Sequence, residues 1–187
     1  MVLYPANRAG ASYAVPQGVQ SIGSYAFTAC GKLTGVTLPG SCTAIGKHAF
    51  LDCGKLTRVT LSDACAEIGY GAFKGCEKLS RIILPGGVLS LGDYAFADCI
   101  ALSDVTLPDS VRTIGDKAFS GCEKPGRITL PGGVLSIGDY AFADCIALTG
   151  VTLPDSVRAI GKGVFAGCAK LKSVTLPGSL DSIGKEE

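Results

Sequence analysis

Leu91–Leu102 reads LGDYAFADCIAL, and Ile137–Leu148 reads IGDYAFADCIAL. A phrase that returns almost unaltered after 46 residues has to be read for period before it is read for secondary structure. The phenylalanines supply the period. Phe27, Phe50, Phe73, Phe96, Phe119, Phe142 and Phe165 are every Phe in the chain, and each follows the last by 23 residues. A cysteine stands at the third position after each, from Cys30 to Cys168, and a glycine stands four before, from Gly23 to Gly161. The unit is L-x-x-V-T-L-P-x-x-V-x-x-I-G-x-x-A-F-x-x-C with small spacers. A second period of 46 lies above it, because Pro85–Leu107 and Pro131–Leu153 are almost the same sequence, as duplication of a two-unit block would leave them.

A single unit of 23 residues cannot close a core, so its apolar positions must stack on those of its neighbours in a solenoid. Val36-Thr37-Leu38, repeated as Val59-Thr60-Leu61, Val105-Thr106-Leu107 and Val151-Thr152-Leu153, alternates apolar and polar around β-branched residues, which predicts one short strand per coil in a parallel sheet. Proline closes the strand at Pro16, Pro39, Pro85, Pro108, Pro131, Pro154 and Pro177, with Ser62 the one lapse. The Gly-x-x-Ala-Phe-x-x-Cys stretch does not alternate, and its small residues beside one large ring predict a single helical turn on the other side of the coil. Rings repeating at a strand spacing of ~4.8 Å should stack along the core.

Joined in this order, L-x-x-V-T-L-P and I-G-x-x-A-F-x-x-C resemble the Treponema pallidum-type, or BspA-like, leucine-rich repeat. The likeness runs from about Tyr13 to Gly184, with departures at Ser62, at Ile83 in the Thr column and at Pro125 where a Leu is expected. Leu3-Tyr4-Pro5 through Val15-Pro16 resembles the lead-in that precedes a first repeat. The resemblance implies a right-handed α/β leucine-rich-repeat solenoid with its parallel sheet on the concave face. It implies a non-enzymatic role, and a bacterial or protist protein that is exposed at the cell surface, secreted or periplasmic and binds host, matrix or cell partners in adhesion. The expected organisation is one domain over residues 1–187. A lead-in occupies 1–16, seven repeats about 17–177, and an incomplete last coil 178–187.

Composition narrows the classes. Seventeen basic and sixteen acidic residues give a net charge of +1, so no overall field favours nucleic acid or an anionic membrane, and any charge-based recognition must be local. No apolar run reaches the ~18 residues that a membrane-spanning helix needs, and Met1–Arg8 carries no secretory signal pattern. Nine cysteines include no C-x-x-C. Seven stand at equivalent coil positions, and Cys42 and Cys65 replace a valine of other coils. Buried inert thiols are the leading reading. A disulfide between coils is the second, since neighbours at ~4.8 Å are within reach, and metal is the third, since a ladder of one residue type offers no tetrahedral geometry. His48 is the only histidine and shares its slot with Tyr25, Gly71, Tyr94, Lys117, Tyr140 and Gly163, the tolerance of a solvent-facing position. Asp52, Asp98 and Asp144 recur on alternate coils too regularly to single out an acid–base pair. Gly40–Lys47 has the wrong spacing for a phosphate loop. No catalytic, cofactor-binding or metal-binding set is expected, and no cofactor.

Outward residues of the sheet are where binding is expected, because the inward Val and Leu are committed to the core. One column holds Thr60, Ile83, Thr106 and Thr129, readable as a β-propensity ladder or as part of a site. The other holds Arg58, Arg81, Asp104 and Arg127 between small residues at both ends, readable as a solvated face or as a polar ligand site with Asp104 offsetting the arginines. The expected partner is a protein, host or extracellular matrix, with no nucleic acid and no membrane insertion, and the chain is a monomer or a weak end-to-end oligomer. An intracellular structural repeat scaffold without a dedicated ligand is the alternative.

Overall fold

In the computed structural model, which describes residues 11–184, each coil contributes two short strands. The x-Val-Thr tripeptides form β1 (Ser12–Ala14), β3 (Gly35–Thr37), β5 (Arg58–Thr60), β7 (Arg81–Ile83), β9 (Asp104–Thr106), β11 (Arg127–Thr129), β13 (Gly150–Thr152) and β15 (Val174–Thr175). The dipeptides before the recurring glycine of each coil form β2 (Ser21–Ile22), β4 (Ala44–Ile45), β6 (Glu67–Ile68), β8 (Ser90–Leu91), β10 (Thr113–Ile114), β12 (Ser136–Ile137), β14 (Ala159–Ile160) and β16 (Ser182–Ile183). Pairing is parallel in a register of one period, as in Val36 opposite Val59 and Ile45 opposite Ile68. Ser12–Ala14 already occupies a strand slot, against Gly35–Thr37. The rest of the proposed lead-in before residue 11, and the chain after 184, lie outside the described residues.

The second sheet runs unbroken through eight strands, from β2 to β16. The first is in three pieces, β1-β3-β5, β7-β9 and β11-β13-β15. The break between β9 and β11 has a local cause. In neighbouring coils a Leu N–H closes a turn onto the cysteine carbonyl, as Leu102 does onto Cys99 at 2.9 Å, and the next residue's hydroxyl and N–H both bond the preceding coil, as Thr149 does to Gly126 O. Pro125 has no N–H and Gly126 no hydroxyl, so that coil loses the fastening and residues 123–126 form no turn.

The expected helical turn is not there. In every coil the residues two before and two after the Phe have positive φ, among them Tyr25 (61°), Ala29 (53°), His48 (53°), Asp98 (59°) and Lys117 (53°), with Gly71, Gly75, Gly121, Gly163 and Gly167 filling the same slots. Two left-handed residues four apart exclude a right-handed helix. The stretch is a chain of tight turns instead. Alternate N–H groups close turns within the coil, as Cys30 does onto Phe27 O at 3.2 Å, while those between reach the next coil, as Phe27 does to Ala49 O at 2.7 Å. In the coil around Phe27 every backbone donor from Tyr25 to Cys30 finds a partner by alternating direction, which a helix would not need. This also explains the tolerance at the His48 slot: a left-handed position selects for backbone conformation, and His48 itself is half-buried between Tyr25 and Tyr70, at ring separations of 5.2 and 5.1 Å.

Between the layers runs the core. The Phe rings stack with centroids 4.9, 5.1, 5.3, 5.3, 5.3 and 6.0 Å apart and planes within 12° of parallel. That spacing is the rise of the solenoid, and each stacked pair adds roughly 0.5–1.5 kcal/mol beyond burial. Glycine recurs after each second-sheet strand because the coils touch there. A Cβ on Gly115 would meet Asp93 N at 2.6 Å and Gly92 C at 2.8 Å. At Ser62, where other coils carry proline, the buried hydroxyl donates to Cys42 O of the preceding coil.

Candidate partner-binding face

Because Val59, Ile82, Val105 and Ile128 turn inward, their neighbours on the same strands must turn out. Arg58, Thr60, Arg81, Ile83, Asp104, Thr106, Arg127 and Thr129 are all exposed, Ile83 by 55%. An isoleucine more than half in water on a polar face is the one large apolar group that β5 to β11 offer to a partner. The residues are not equivalent. Arg81 Nε lies 3.1 Å from Asp104 Oδ2, across the hydrogen-bonded pair β7 and β9. Both side chains are more than half exposed, so the pair fixes geometry more than it stabilises the fold. Arg58 and Arg127 lie across the two sheet breaks from that pair. Arg127 leans toward Gly150, which has no side chain to oppose it.

The break between β5 and β7 opens a depression of about 500 Å³, lined by Thr57, Arg58, Thr60, Asp63, Ser80, Arg81, Ile83 and Pro85 among others. Arg58 and Arg81 thus share one concavity although their strands are not hydrogen-bonded. The break between β9 and β11 opens a much smaller void of about 50 Å³ that reaches Phe119 and Phe142 beneath Pro125.

The thiols form a separate, inward system. Cys53, Cys76, Cys99, Cys122, Cys145 and Cys168 direct Sγ at the carbonyl of the Phe in the preceding coil, at 2.9 to 3.4 Å. All nine cysteines are free, and eight are buried. Burial pushes the Cys65 thiol up to about 11, Cys53 and Cys122 to about 12, and Cys76 and Cys99 well above the ordinary value. A thiol held neutral is a poor nucleophile and a poor ligand. Among the described residues no three His, Cys, Asp or Glu side chains converge as a metal site would require, and no helix is long and apolar enough to cross a membrane.

One surface feature escaped the sequence reading. On the turn layer Tyr25, His48, Tyr70 and Tyr94 follow one another at ring separations of 5.1 to 5.4 Å, and Lys117 Nζ sits 5.5 Å from the ring centres of both Tyr94 and Tyr140. The signal was present in two adjacent columns, one holding Tyr25, Tyr94 and Tyr140 and the other Tyr70. Only the left-handed turns bring them into one stripe.

Compared with known proteins, the chain matches the BspA type leucine rich repeat region in six copies, over residues 9–125 and 90–187. A leucine-rich-repeat protein of T. pallidum is similar in structure at a TM-score of 0.80 and 37% identity, over 87% of this chain and 78% of that one. A leucine-rich-repeat protein from Bacteroides ovatus gives a TM-score of 0.66 and 31% identity over 93% of this chain. A leucine-rich cell surface protein from Faecalibacterium prausnitzii gives 0.56 and 25% over 87%. This chain spans 59% of the length of each of the latter two. No curated protein matches it at a significant level.

Proposed function

The chain belongs to the BspA-type leucine-rich-repeat family, and from that premise we propose that it is a non-enzymatic attachment module that grips a protein partner through the exposed face of its first sheet. Proteins of this repeat fold generally serve as interaction modules. What carries the reading in this chain is the depression between β5 and β7. There two arginines and the exposed Ile83 converge, the combination of charged and apolar groups that anchors protein interfaces. Arg58 and Arg81 meet a carboxylate-bearing surface, Asp104 holds Arg81 in place, and Arg127 extends the contact beyond the second break. Thr60, Thr106 and Thr129 supply hydroxyls beside them.

The partner class is a host, matrix or cell-surface protein, and the place of action is the bacterial cell surface. That the similar Faecalibacterium prausnitzii protein is a cell surface protein supports the location, and the family supports the partner. The experiment is a solid-phase binding screen of the purified chain against matrix and serum proteins. Any hit is then titrated with the double variant Arg58→Glu/Arg81→Glu and with Lys162→Glu, on the turn layer, as control. The double variant should lose at least tenfold in affinity, about 1.4 kcal/mol, with the loss shrinking in high salt. Equal loss in the control, or unchanged affinity in the double variant, overturns the assignment to this face.

A further inference from the structure

A net charge of +1 conceals a segregation. The five-residue segments that lead from the turn layer into each first-sheet strand are 31–35, 54–58, 77–81, 100–104, 123–127, 146–150 and 169–173. Together they hold nine basic residues and three acidic ones, while the rest of the chain holds eight basic and thirteen acidic. Three of the segments share one arrangement, Lys55-Leu56-Thr57-Arg58, Lys78-Leu79-Ser80-Arg81 and Lys124-Pro125-Gly126-Arg127. In each the residue after the Lys is buried, so the Lys and the Arg flank it on the outside of the corner, and all six cations are exposed.

These cations are left available. Arg81 pairs with Asp104, but among the described residues the side chains of Lys55, Arg58, Lys78, Lys124 and Arg127 make no ion pair or hydrogen bond within the chain. Elsewhere the fold consumes its cations. Arg112 donates to the carbonyls of Asp109 and Gly133, Arg158 donates to Ser179 O, and Lys74 lies 3.8 Å from Asp98 and 5.3 Å from the centre of the Tyr94 ring. The corner also repeats at the solenoid rise, the 5.1 to 5.3 Å seen between most neighbouring Phe rings. Cations that recur along one edge at multiples of that rise, on adjacent coils at Lys55 and Lys78 and two coils further on at Lys124, with Asp104 in the coil between, complement a linear polymer with repeating anions, without the irregular shape complementarity that a protein epitope needs.

We propose that this corner is a docking edge for a linear anionic polysaccharide, one carrying sulfate or uronate groups. The polymer lies along the coil axis with Lys55, Lys78 and Lys124 as an outer row and Arg58, Arg81 and Arg127 as an inner row. The chemistry favours a glycan over a nucleic acid, because single strands are held by aromatic platforms beside their cations and none of the seven segments contains an aromatic residue. The depression at the first break gives one anion a seat between Arg58 and Arg81, with Ser80 and Thr57 at hand. Asp63, on its lining, limits the seat to a group that need not descend fully. The proposal shares its inner row with the protein-binding reading above, but the outer lysines stand off the Thr and Ile columns, so the two can fail separately.

The test is retention of the intact chain on heparin, with polyuridylate as a polyanion that carries bases. Wild type should bind heparin at about 0.15 M salt, with log affinity falling linearly in log salt as bound counterions are released. Lys55→Gln/Lys78→Gln/Lys124→Gln should weaken binding at least tenfold and reduce that slope by about 2 to 3, while leaving any protein partner bound. Lys47→Gln/Lys74→Gln/Lys162→Gln removes the same charge from the turn layer and should change neither quantity. No retention at that salt, equal effects of the two triple variants, or tighter binding to polyuridylate than to heparin would each overturn the proposal.

Discussion

Replacing Pro125 by Leu should stabilise this chain by about 1 to 2 kcal/mol, against the usual direction of core substitutions. The neighbouring coils show what is missing. Leu33, Leu56, Leu79, Leu102 and Leu148 fill this column, each at most 1% exposed, and each donates its N–H to the cysteine carbonyl three residues back. Pro125 is buried in the same slot but leaves a void of about 50 Å³ over Phe119 and Phe142 and no donor for Cys122 O. At about 24 cal/mol per Å³ the void is worth about 1.2 kcal/mol, and the restored hydrogen bond adds about 1. In a domain of this size a net gain of about 1 to 2 kcal/mol is an increase in Tm of about 2 to 8 °C. Differential scanning calorimetry reads the shift, and hydrogen exchange should show residues 123–130 slowed while the coil around Leu148 is unchanged. Proline also restricts the unfolded chain, which works against the gain by a few tenths of a kcal/mol to about 1. A fall in Tm would refute the reasoning, because it would mean that the coil has been rebuilt around the ring and that Gly126 is part of the solution.

The thiol column makes stability fall in alkali. Folded-state values near 11 for Cys65 and 12 for Cys53 and Cys122, raised from 9.0, mean that the fold holds protons the unfolded chain releases. Stability is therefore complete below the unfolded value and is lost as pH rises from about 9 toward 11 or 12, at up to 1.36 kcal/mol per pH unit for each thiol. Urea midpoints measured across that range should drop, and less steeply in Cys53→Ala; a flat profile would contradict the burial. In the native state few of the nine thiols should react with an aromatic disulfide reagent, and nearly all should after unfolding without reductant; recovery of five or fewer would mean disulfides. Gly115→Ala tests the coil contact: a methyl 2.6 Å from Asp93 N must push two coils apart, so a loss of about 1–3 kcal/mol is expected in chemical denaturation, and a neutral result would show slack between the coils.

The parts of this fold that the sequence made readable are those with a side-chain signature. The Phe period carries the repeat length and the rise, and alternation around Val36, Val59 and Val105 locates the first-sheet strands. The second sheet escaped because Ser21–Ile22 and its equivalents are two residues long, too short for alternation to show. The turn layer reads as helical from its side-chain pattern alone, although the sequence also carries a backbone signal against it. The slot two after the Phe holds Ala29, Asp52, Gly75, Asp98, Gly121, Asp144 and Gly167, and the recurrence of Gly and Asp marks a left-handed position. Read that way, the three aspartates are turn residues, with no need of an acid–base role. On the candidate face the columns could be named from the sequence but their grouping could not. Pro125 announced one sheet break, whereas the break beside Arg58 has no comparable mark, and the depression that joins Arg58 to Arg81 depends on it.

The near-identity of Pro85–Leu107 and Pro131–Leu153 has a bearing on how the chain finds its structure. The two coils differ only at Leu91/Ile137, Ser103/Thr149 and Asp104/Gly150, so each presents almost the same surface to whatever docks on it. A chain assembling from its N-terminal side can seat Pro154 and its successors on the earlier copy and extrude the intervening 46 residues as a loop. Closing that loop costs only about 3 kcal/mol of entropy, and the false junction is nearly as well matched as the true one. Nothing local rejects the misthreaded chain. What it forfeits is two junctions' worth of stacked rings and bonded turns, so fidelity here resides in the length of the stack.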